Sequence, residues 1–170
     1  MLPRLALTLA VMVAVCVPRA FAQSQPSQPE PEIAVPAHVA HVEGSAVIER
    51  EGRAENSPLN TPLLSGDRLK TSDGRVEVLF ADGAALHLDN RTTVDFQSDD
   101  LARLIEGRLR LNIPGPARTV AYRIDSPAGS VRISQPGEYR IALVRGDRET
   151  QLELAVLRGS GEVFTDLGAT

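Results

Sequence analysis

The sequence has almost no cysteine, a single Cys16 in 170 residues, and it has no tryptophan. One thiol excludes an internal disulfide, a four-cysteine zinc site and an iron–sulfur cluster held by the chain's own thiolates. Aromatic residues make up 4% of the chain, too few to predict a stacking platform for single-stranded nucleic acid. The net charge of −4 provides no excess of positive charge for a polyanion. We therefore predict no nucleic-acid partner and no cofactor.

A long hydrophobic run is also missing. The longest apolar stretch, residues 5–17, follows a short basic segment and has 13 residues, whereas a membrane span needs about 20. Ala20 and Ala22 then form a small-x-small cleavage pattern. These features predict a cleaved signal peptide over residues 1–22 and no transmembrane anchor afterwards. The mature protein, with 148 residues, a net charge of −6 and no cysteine, is expected to be periplasmic or secreted.

Three further segments follow the signal peptide. Residues 23–39 are rich in Pro and Gln, which predicts a disordered tether. Residues 40–165 are predicted to form one β domain. Residues 166–170 form a tail, and one interpretation of it is that the sequence is a fragment of a longer protein.

The 40–165 segment consists of short stretches in which apolar and polar residues alternate, separated by Gly, Asn and Asp. This period of two is typical of half-buried strands, and it recurs in residues 75–80, 108–113, 138–143 and 151–156. We predict an all-β domain of roughly ten to twelve strands. Asp82-Gly83 predicts a two-residue type I′ hairpin turn. Residues 99–106 are the one stretch whose spacing allows a helical turn.

A weak internal repeat places a glycine before a new alternating stretch. It occurs at Glu43-Gly44, Glu106-Gly107 and Arg158-Gly159. Glycine permits a corner where the chain passes from one layer to the next. Two architectures remain open on this evidence, a twisted β-solenoid-like stack of hairpins and a sandwich-like pair of sheets.

Several ordered blocks of the sequence resemble the FecR domain. The resemblance extends over about residues 40–165 and rests on residues 60–63, 66–71, 73–78, 82–83, 86–89, 92–96, 107–109 and 124–133. It is closest to exported FecR-domain proteins of Gram-negative bacteria that lack the anti-sigma and transmembrane segments. The resemblance implies a non-enzymatic periplasmic or secreted interaction module whose partner is another envelope protein, related to cell-surface signalling. Direct sigma-factor regulation is not carried over.

Two groups of residues are candidates for contact with a partner. Asp67 and Arg68 are predicted to be exposed in one interpretation, whereas in the other Asp67 caps the turn at Gly66. The second group is an arginine-rich face with few acidic residues near it in the sequence. This face is the basis of an alternative function, binding of an anionic glycan such as peptidoglycan or lipopolysaccharide. Its members are Arg103, Arg108, Arg110, Arg118, Arg123, Arg132 and Arg140.

No catalytic or metal-binding pattern is evident, and we predict that the protein is not an enzyme. Ser126, His87 and Asp125 supply the residue types of a catalytic triad, but no Ser lies in a Gly-x-Ser-x-Gly elbow. His38 and His41 have a spacing that chelates metal on a helix, but they lie at the start of a predicted strand. We predict no catalytic residue and no metal site.

Overall fold

The computed structural model describes residues 36–56, 59–115, 121–165 and 168–169. Within these residues every regular element is a β-strand, so the predicted all-β class is confirmed. The described part of the chain contains no helix of the length and apolar character needed to cross a membrane. The strands are β1 (His38–Glu43), β2 (Ala46–Arg50), β3 (Arg53–Asn56), β4 (Arg68–Thr71), β5 (Arg75–Leu79), β6 (Ala85–Leu88), β7 (Thr93–Phe96), β8 (Leu101–Glu106), β9 (Arg108–Ile113), β10 (Tyr122–Ser126), β11 (Gly129–Ile133), β12 (Gly137–Arg145), β13 (Thr150–Arg158), β14 (Gly161–Thr165) and β15 (Gly168–Ala169).

The strands form two sheets. One has six strands in the order β1-β5-β6-β9-β12-β13, and the other has nine in the order β15-β14-β11-β10-β8-β7-β4-β2-β3. Paired strands are antiparallel except β8 and β10, which are parallel. The chain passes repeatedly between the sheets, and buried residues of both form one shared core. Of the two architectures left open by the sequence, the sandwich-like one describes this arrangement.

The core is built from alternate residues of the strands. In β9, Leu109 and Leu111 are buried while Arg108 and Arg110 are exposed. β5 and β12 follow the same period, as expected where one face of a sheet packs and the other contacts water. Tyr139 in β12 is the largest of the fully buried side chains. The predicted alternation is confirmed in these strands.

Three glycines mark points where the chain leaves one sheet for the other. Gly44 connects β1 to β2, Gly107 connects β8 to β9, and Gly159 connects β13 to β14. Their φ angles are 74°, 87° and 95°, a region that residues with a Cβ rarely adopt. A Cβ on Gly107 would also collide with the Oγ1 atom of Thr92. The predicted role of these glycines as corners between layers is confirmed.

Residues 101–106 form strand β8, so the helical turn that the spacing of residues 99–106 allows is not formed. Ala102 and Leu104 are buried, whereas Arg103 and Glu106 between and beyond them are exposed. This strand lies between β7 and β10 and pairs with both. Pairing partners on both sides supply backbone hydrogen bonds that the local spacing of apolar residues does not reveal.

The hairpin predicted at Asp82-Gly83 is present, but the predicted type I′ turn is wrong. The N–H of Phe80 donates to the carbonyl oxygen of Ala84 at 2.9 Å, and the N–H of Gly83 donates to that of Phe80 at 3.0 Å. Gly83 has a φ of 83°, and Asp82 is not among the residues with positive φ. This is the three-residue loop in which a turn is followed by a left-handed glycine.

The two edges of the six-stranded sheet differ. Beside β1, the N–H of Val39 donates to the carbonyl oxygen of Thr61 at 2.9 Å, and that of Asn60 donates to Val39 at 2.8 Å. A loop therefore covers this edge. The start of β1 at His38 lies two residues before the predicted start of the domain. The opposite edge is β13, nine residues long, and no other strand among the described residues pairs with its outer side.

Candidate binding surface

A row of polar side chains crosses the outer face of the six-stranded sheet. His41 lies opposite Glu77, and Glu77 lies opposite His87. His87 in turn lies opposite Arg110, which lies opposite Arg140. Cross-strand partners share one face of a sheet, so these five side chains project to the same side. We call His41, Glu77, His87, Arg110 and Arg140 the charged row.

The charged row lies in a shallow, open hollow of about 680 Å³. On one side the hollow is lined by Arg75, Asp89 and Arg108, and at the β13 end by Glu153 and Ala155. Strands in a sheet are spaced by about 4.8 Å, so a row across five strands is about 20 Å long. The surface is therefore long enough to contact an extended chain.

Positive charge is concentrated at the β12 end of the charged row. His87 Nδ1 lies 3.3 Å from Glu77 Oε2, and Arg110 Nε lies 3.1 Å from Glu138 Oε1. Arg140 forms no ion pair with any residue that the structure describes. Arg110 and Arg140 thus have one ion-paired carboxylate, Glu138, and the carboxylate of Glu153, one strand further at the β13 end, forms no ion pair with either guanidinium among the described residues. Guanidinium groups bind carboxylates and phosphates through paired hydrogen bonds, so this end is suited to an anionic ligand.

Asp89 neutralises the arginines beside the charged row. Its Oδ1 accepts a hydrogen bond from Arg75 Nε at 3.2 Å, and its Oδ2 lies 3.0 Å from Arg108 Nε. The backbone N–H of Asn90, together with these arginines, holds the pKa of Asp89 below its ordinary value despite partial burial. The carboxylate therefore stays ionised, and Arg75 and Arg108 are less available to a ligand than Arg140 is.

The single arginine face predicted from the sequence is wrong, because the chain changes sheets within it. β8 and β11 belong to one sheet, whereas β9 and β12 belong to the other. Arginines close in sequence are thereby divided between two outer faces. The six-stranded sheet carries Arg108, Arg110 and Arg140, the nine-stranded sheet carries Arg103, Arg123 and Arg132, and Arg118 lies outside the described residues.

The arginines of the nine-stranded sheet have other contacts. Arg123 Nε donates to Asp125 Oδ1 at 2.7 Å. The guanidinium of Arg132 lies over the ring of Phe164, 5.1 Å from its centroid, a cation–π contact. These contacts satisfy part of the positive charge on this face. The outer face of the six-stranded sheet is therefore the stronger candidate for a binding surface.

Asp67 is buried, with 1% of its surface exposed, so the exposure predicted for it as a contact residue is wrong. Its carboxylate accepts hydrogen bonds from Arg50 Nε at 2.8 Å and Nη2 at 2.6 Å, and from the N–H of Leu64 at 2.8 Å. Burial disfavours the ionised form, but these donors outweigh it and hold the pKa of Asp67 below its ordinary value. The alternative role, capping of the turn, is confirmed. Arg68 is partly exposed and donates to Asp95 Oδ2 at 2.8 Å.

The residue types of a catalytic triad are not brought together. His87 lies in β6 of the six-stranded sheet, whereas Asp125 and Ser126 lie in β10 of the nine-stranded sheet. Ser126 Oγ donates to the carbonyl oxygen of Gly129 at 2.8 Å. Among the described residues, no three His, Cys, Asp or Glu side chains are grouped closely enough to hold a metal ion.

Sequence reasoning missed Glu77 and His41 as neighbours of His87, although one signal was present. Phe80 and Ala84 flank the hairpin loop and lie opposite each other. Moving three residues away from the loop along each strand therefore places Glu77 opposite His87. The position of His41 depends on pairing between β1 and β5, which are separated by more than thirty residues and joined across a β-bulge. Local pattern does not specify such a register.

A comparison with known protein families gives a match that includes most of the strands described above. The family described as FecR protein matches residues 67–161, more than half of the chain. The chain belongs to the FecR family. This family is related in general to cell-surface signalling, and the match includes four of the five residues in the charged row. No curated protein and no solved structure matches the chain.

Proposed function

We propose that this FecR-family protein is an exported, non-catalytic module of the cell envelope that binds an acidic segment of another envelope protein. The observation that carries the proposal is the pair Arg110 and Arg140, directly opposite each other in an open hollow. Membership of the FecR family supports a role at the cell surface. The signal-peptide pattern of residues 1–22 supports export.

The shape of the hollow favours a macromolecular ligand over a small substrate. Small-molecule sites are usually enclosed and mostly apolar, with a few polar groups that fix orientation. This hollow is open, and polar or charged residues from all six strands of the sheet line it. An extended acidic peptide laid across the strands would present carboxylates to Arg110 and Arg140 in turn.

The proposal is tested by cross-linking capture from envelope extracts with three forms of the full chain. The first is the wild type, and the second carries Arg110→Glu and Arg140→Glu in the hollow. The third is a matched control with Arg123→Glu and Arg132→Glu on the nine-stranded sheet. We expect a reproducible protein partner with the wild type and the control, and at least roughly tenfold less with the hollow variant, because like charge repels. Equal capture by the hollow variant, or no enriched protein, would contradict the proposal.

An anionic glycan is the second candidate ligand. It is favoured by the length of the charged row, since a polysaccharide is itself extended and the row crosses five strands. Pull-down with purified peptidoglycan sacculi, and separately with lipopolysaccharide, distinguishes it from a protein ligand. Binding that falls as salt rises and that requires Arg110 and Arg140 would support it. If the protein bound neither sacculi nor lipopolysaccharide at low salt, the glycan proposal would be wrong.

Export has its own test. Mass spectrometry of the protein recovered from the periplasm or medium should give Gln23 as the first residue. Replacing Ala22 with Arg should block that cleavage, because the cleavage site requires small residues. An intact Met1 on the exported protein would contradict the assignment.

A further inference from the structure

The edge of β13 that no described strand pairs with has features of a pairing surface. β13 contains nine residues, and none of them is Pro or Lys, the residues that commonly protect an edge strand. Val156 and Leu157 are 43% and 47% exposed. The bulge between Glu138 and Tyr139 of β12 leaves Leu157 as the extra residue of β13.

The hydrogen bonds of the hairpin show which backbone groups of β13 face outwards. The N–H of Gly146 donates to the carbonyl oxygen of Glu149 at 2.9 Å, so this pair is hydrogen-bonded across the hairpin. The N–H of Leu143, which lies opposite Leu152, instead donates to Gly107 in the direction of β9. Hydrogen-bonded pairs alternate along an antiparallel ladder. The N–H and C=O groups of the even-numbered residues 150–156 therefore point to the open edge.

We propose that two copies of this protein pair through their β13 edges, antiparallel about a two-fold axis at Leu154. In this register Leu154 lies opposite its own copy, and Leu152 lies opposite Val156 of the other chain. All three residues carry outward backbone groups, so each pair exchanges two hydrogen bonds. The two six-stranded sheets become one continuous sheet of twelve strands.

The side chains also fit this register. Leu152, Leu154 and Val156 belong to the face that packs towards the core, so pairing joins their apolar surfaces and covers Val156. On the outer face, Glu153 lies opposite Ala155 of the other chain, and no like charges are directly opposed. A shift of the axis to a point between Leu152 and Leu154 would oppose Glu153 to Glu153, which is unfavourable. A shift towards the bulge would shorten the paired segment.

Pairing would bring two hollows together. Glu153 and Ala155 line the β13 end of the hollow, so the hollows of the two copies become adjacent on the same outer face. The dimer would then bind a long or repeating acidic ligand at two places. This consequence rests on the proposed function, whereas the dimer itself does not.

The first test is sedimentation of the full chain over a range of concentrations. A single pair of strand edges is smaller than a standard interface of about 1,600 Å², so we expect dissociation at about 10–100 µM. Val156→Lys puts a charge opposite Leu152 of the partner copy and should raise the dissociation constant at least roughly tenfold. Val144→Lys is the matched control: Val144 is 39% exposed and lies one strand in from the edge, so its effect should stay below about twofold. Urea unfolding verifies that both variants fold.

The second test reports the register by disulfide formation in a Cys16→Ser background, which removes the chain's own cysteine. Glu153 and Ala155 of opposing copies form a non-hydrogen-bonded pair, with Cα atoms about 4.5 Å apart, within the disulfide range. A mixture of Glu153→Cys and Ala155→Cys chains should therefore cross-link under mild oxidation. Either variant alone should remain monomeric on a non-reducing gel, because its cysteines would be about 8 Å apart.

Several results would overturn the proposal. Wild-type protein that stays monomeric up to about 500 µM and no cross-link in the mixture would exclude the dimer. Equal dimerisation of the Val156→Lys variant would exclude this edge. Cross-linking of Glu153→Cys chains alone would exclude this register. Loss of the dimer with retained capture of a partner by the hollow would leave the proposed function intact.

Discussion

The nine-stranded sheet contains or adjoins all the buried polar residues of the described chain, whereas the polar side chains of the six-stranded sheet lie on its outer face. The buried polar and charged residues of the described chain are Asp67, Thr71, Thr92 and Thr93, and all lie in or beside β4 and β7. On the six-stranded sheet the polar groups face the hollow. The comparison indicates that one sheet uses buried polar groups to hold the fold, whereas the other exposes its polar groups on the outer face, where we propose that a ligand binds.

The buried polar residues of the nine-stranded sheet lie at short strands. β4 and β7 have four residues each, so they form few backbone hydrogen bonds. Buried side chains add to these: Thr92 Oγ1 donates to the carbonyl oxygen of Arg108 at 3.0 Å and accepts from its N–H at 3.1 Å. β12 and β13 have nine residues each and pair along most of their length. In β12 the buried Tyr139 adds a similar contact, since its hydroxyl donates to the carbonyl oxygen of Gln135 at 2.8 Å and accepts from the N–H of Ser160 at 3.2 Å.

The largest expected effect comes from removing the partner of the buried carboxylate. Arg50→Ala leaves Asp67 buried with the N–H of Leu64 as its remaining donor, and should lower the free energy of unfolding by about 3 kcal/mol. Arg110→Ala, on the outer face of the six-stranded sheet, should change it by less than about 0.5 kcal/mol. Urea unfolding at pH 7 measures both. Similar changes in the free energy of unfolding for the two variants would contradict the proposed difference between the sheets.

The same carboxylate should give the nine-stranded sheet a pH dependence. The pKa of Asp67 is lowered in the folded state, so its contribution is complete above the ordinary carboxylate pKa of about 4 and is lost as pH falls through the folded value. Asp67→Asn should therefore cost about 2 kcal/mol at pH 7, and progressively less below pH 4. Urea midpoints from pH 7 down to pH 2 measure the difference between the two proteins. A difference that is constant over this range would contradict the assignment.

The buried hydroxyl of Thr92 gives a smaller test of the same idea. Thr92→Val retains the shape but leaves the N–H and C=O of Arg108 without this partner, at a cost of about 1–2 kcal/mol. Thr150→Val on the exposed β13 is the control, with an expected change within about 0.5 kcal/mol. Thermal or urea unfolding of the pair is sufficient. A neutral Thr92→Val would show that the strand ladders alone hold this region.

Much of the fold was predictable because its signals are local. The period of two in β9 and the corner glycines at Gly44, Gly107 and Gly159 depend on a residue and its immediate neighbours, and both predictions are confirmed. The turn type at Asp82 was predicted wrongly, although this turn joins strands that are neighbours in the sequence. The spacing at 99–106 allows a helical turn, but pairing with β7 and β10 makes residues 101–106 a strand.

The candidate site was less predictable, since it depends on which strands become neighbours. Arg103 and Arg108 are five residues apart and lie on different sheets, whereas Arg110 and Arg140 are thirty apart and directly opposed. One of the two interpretations of Asp67 left it exposed, because its partner, the half-buried Arg50, lies in β2 and is distant in the sequence. Register and sheet order are long-range properties that alternation does not encode.

The smallest expected effects are two changes in folding stability that have opposite signs. Arg140 lies opposite Arg110 and has no ion pair among the described residues, so Arg140→Gln should relieve repulsion and stabilise the fold by about 0.3 kcal/mol. Arg68→Gln on the nine-stranded sheet breaks a partly exposed pair with Asp95 and should destabilise it by about 0.5 kcal/mol. Replicate urea curves at low salt resolve the two, and both effects should shrink at 1 M salt. If Arg140→Gln instead destabilised the protein, Arg140 would be a structural residue like Arg68. A gain in stability together with a loss of ligand capture would assign Arg140 to binding, since the fold would then be stronger without it.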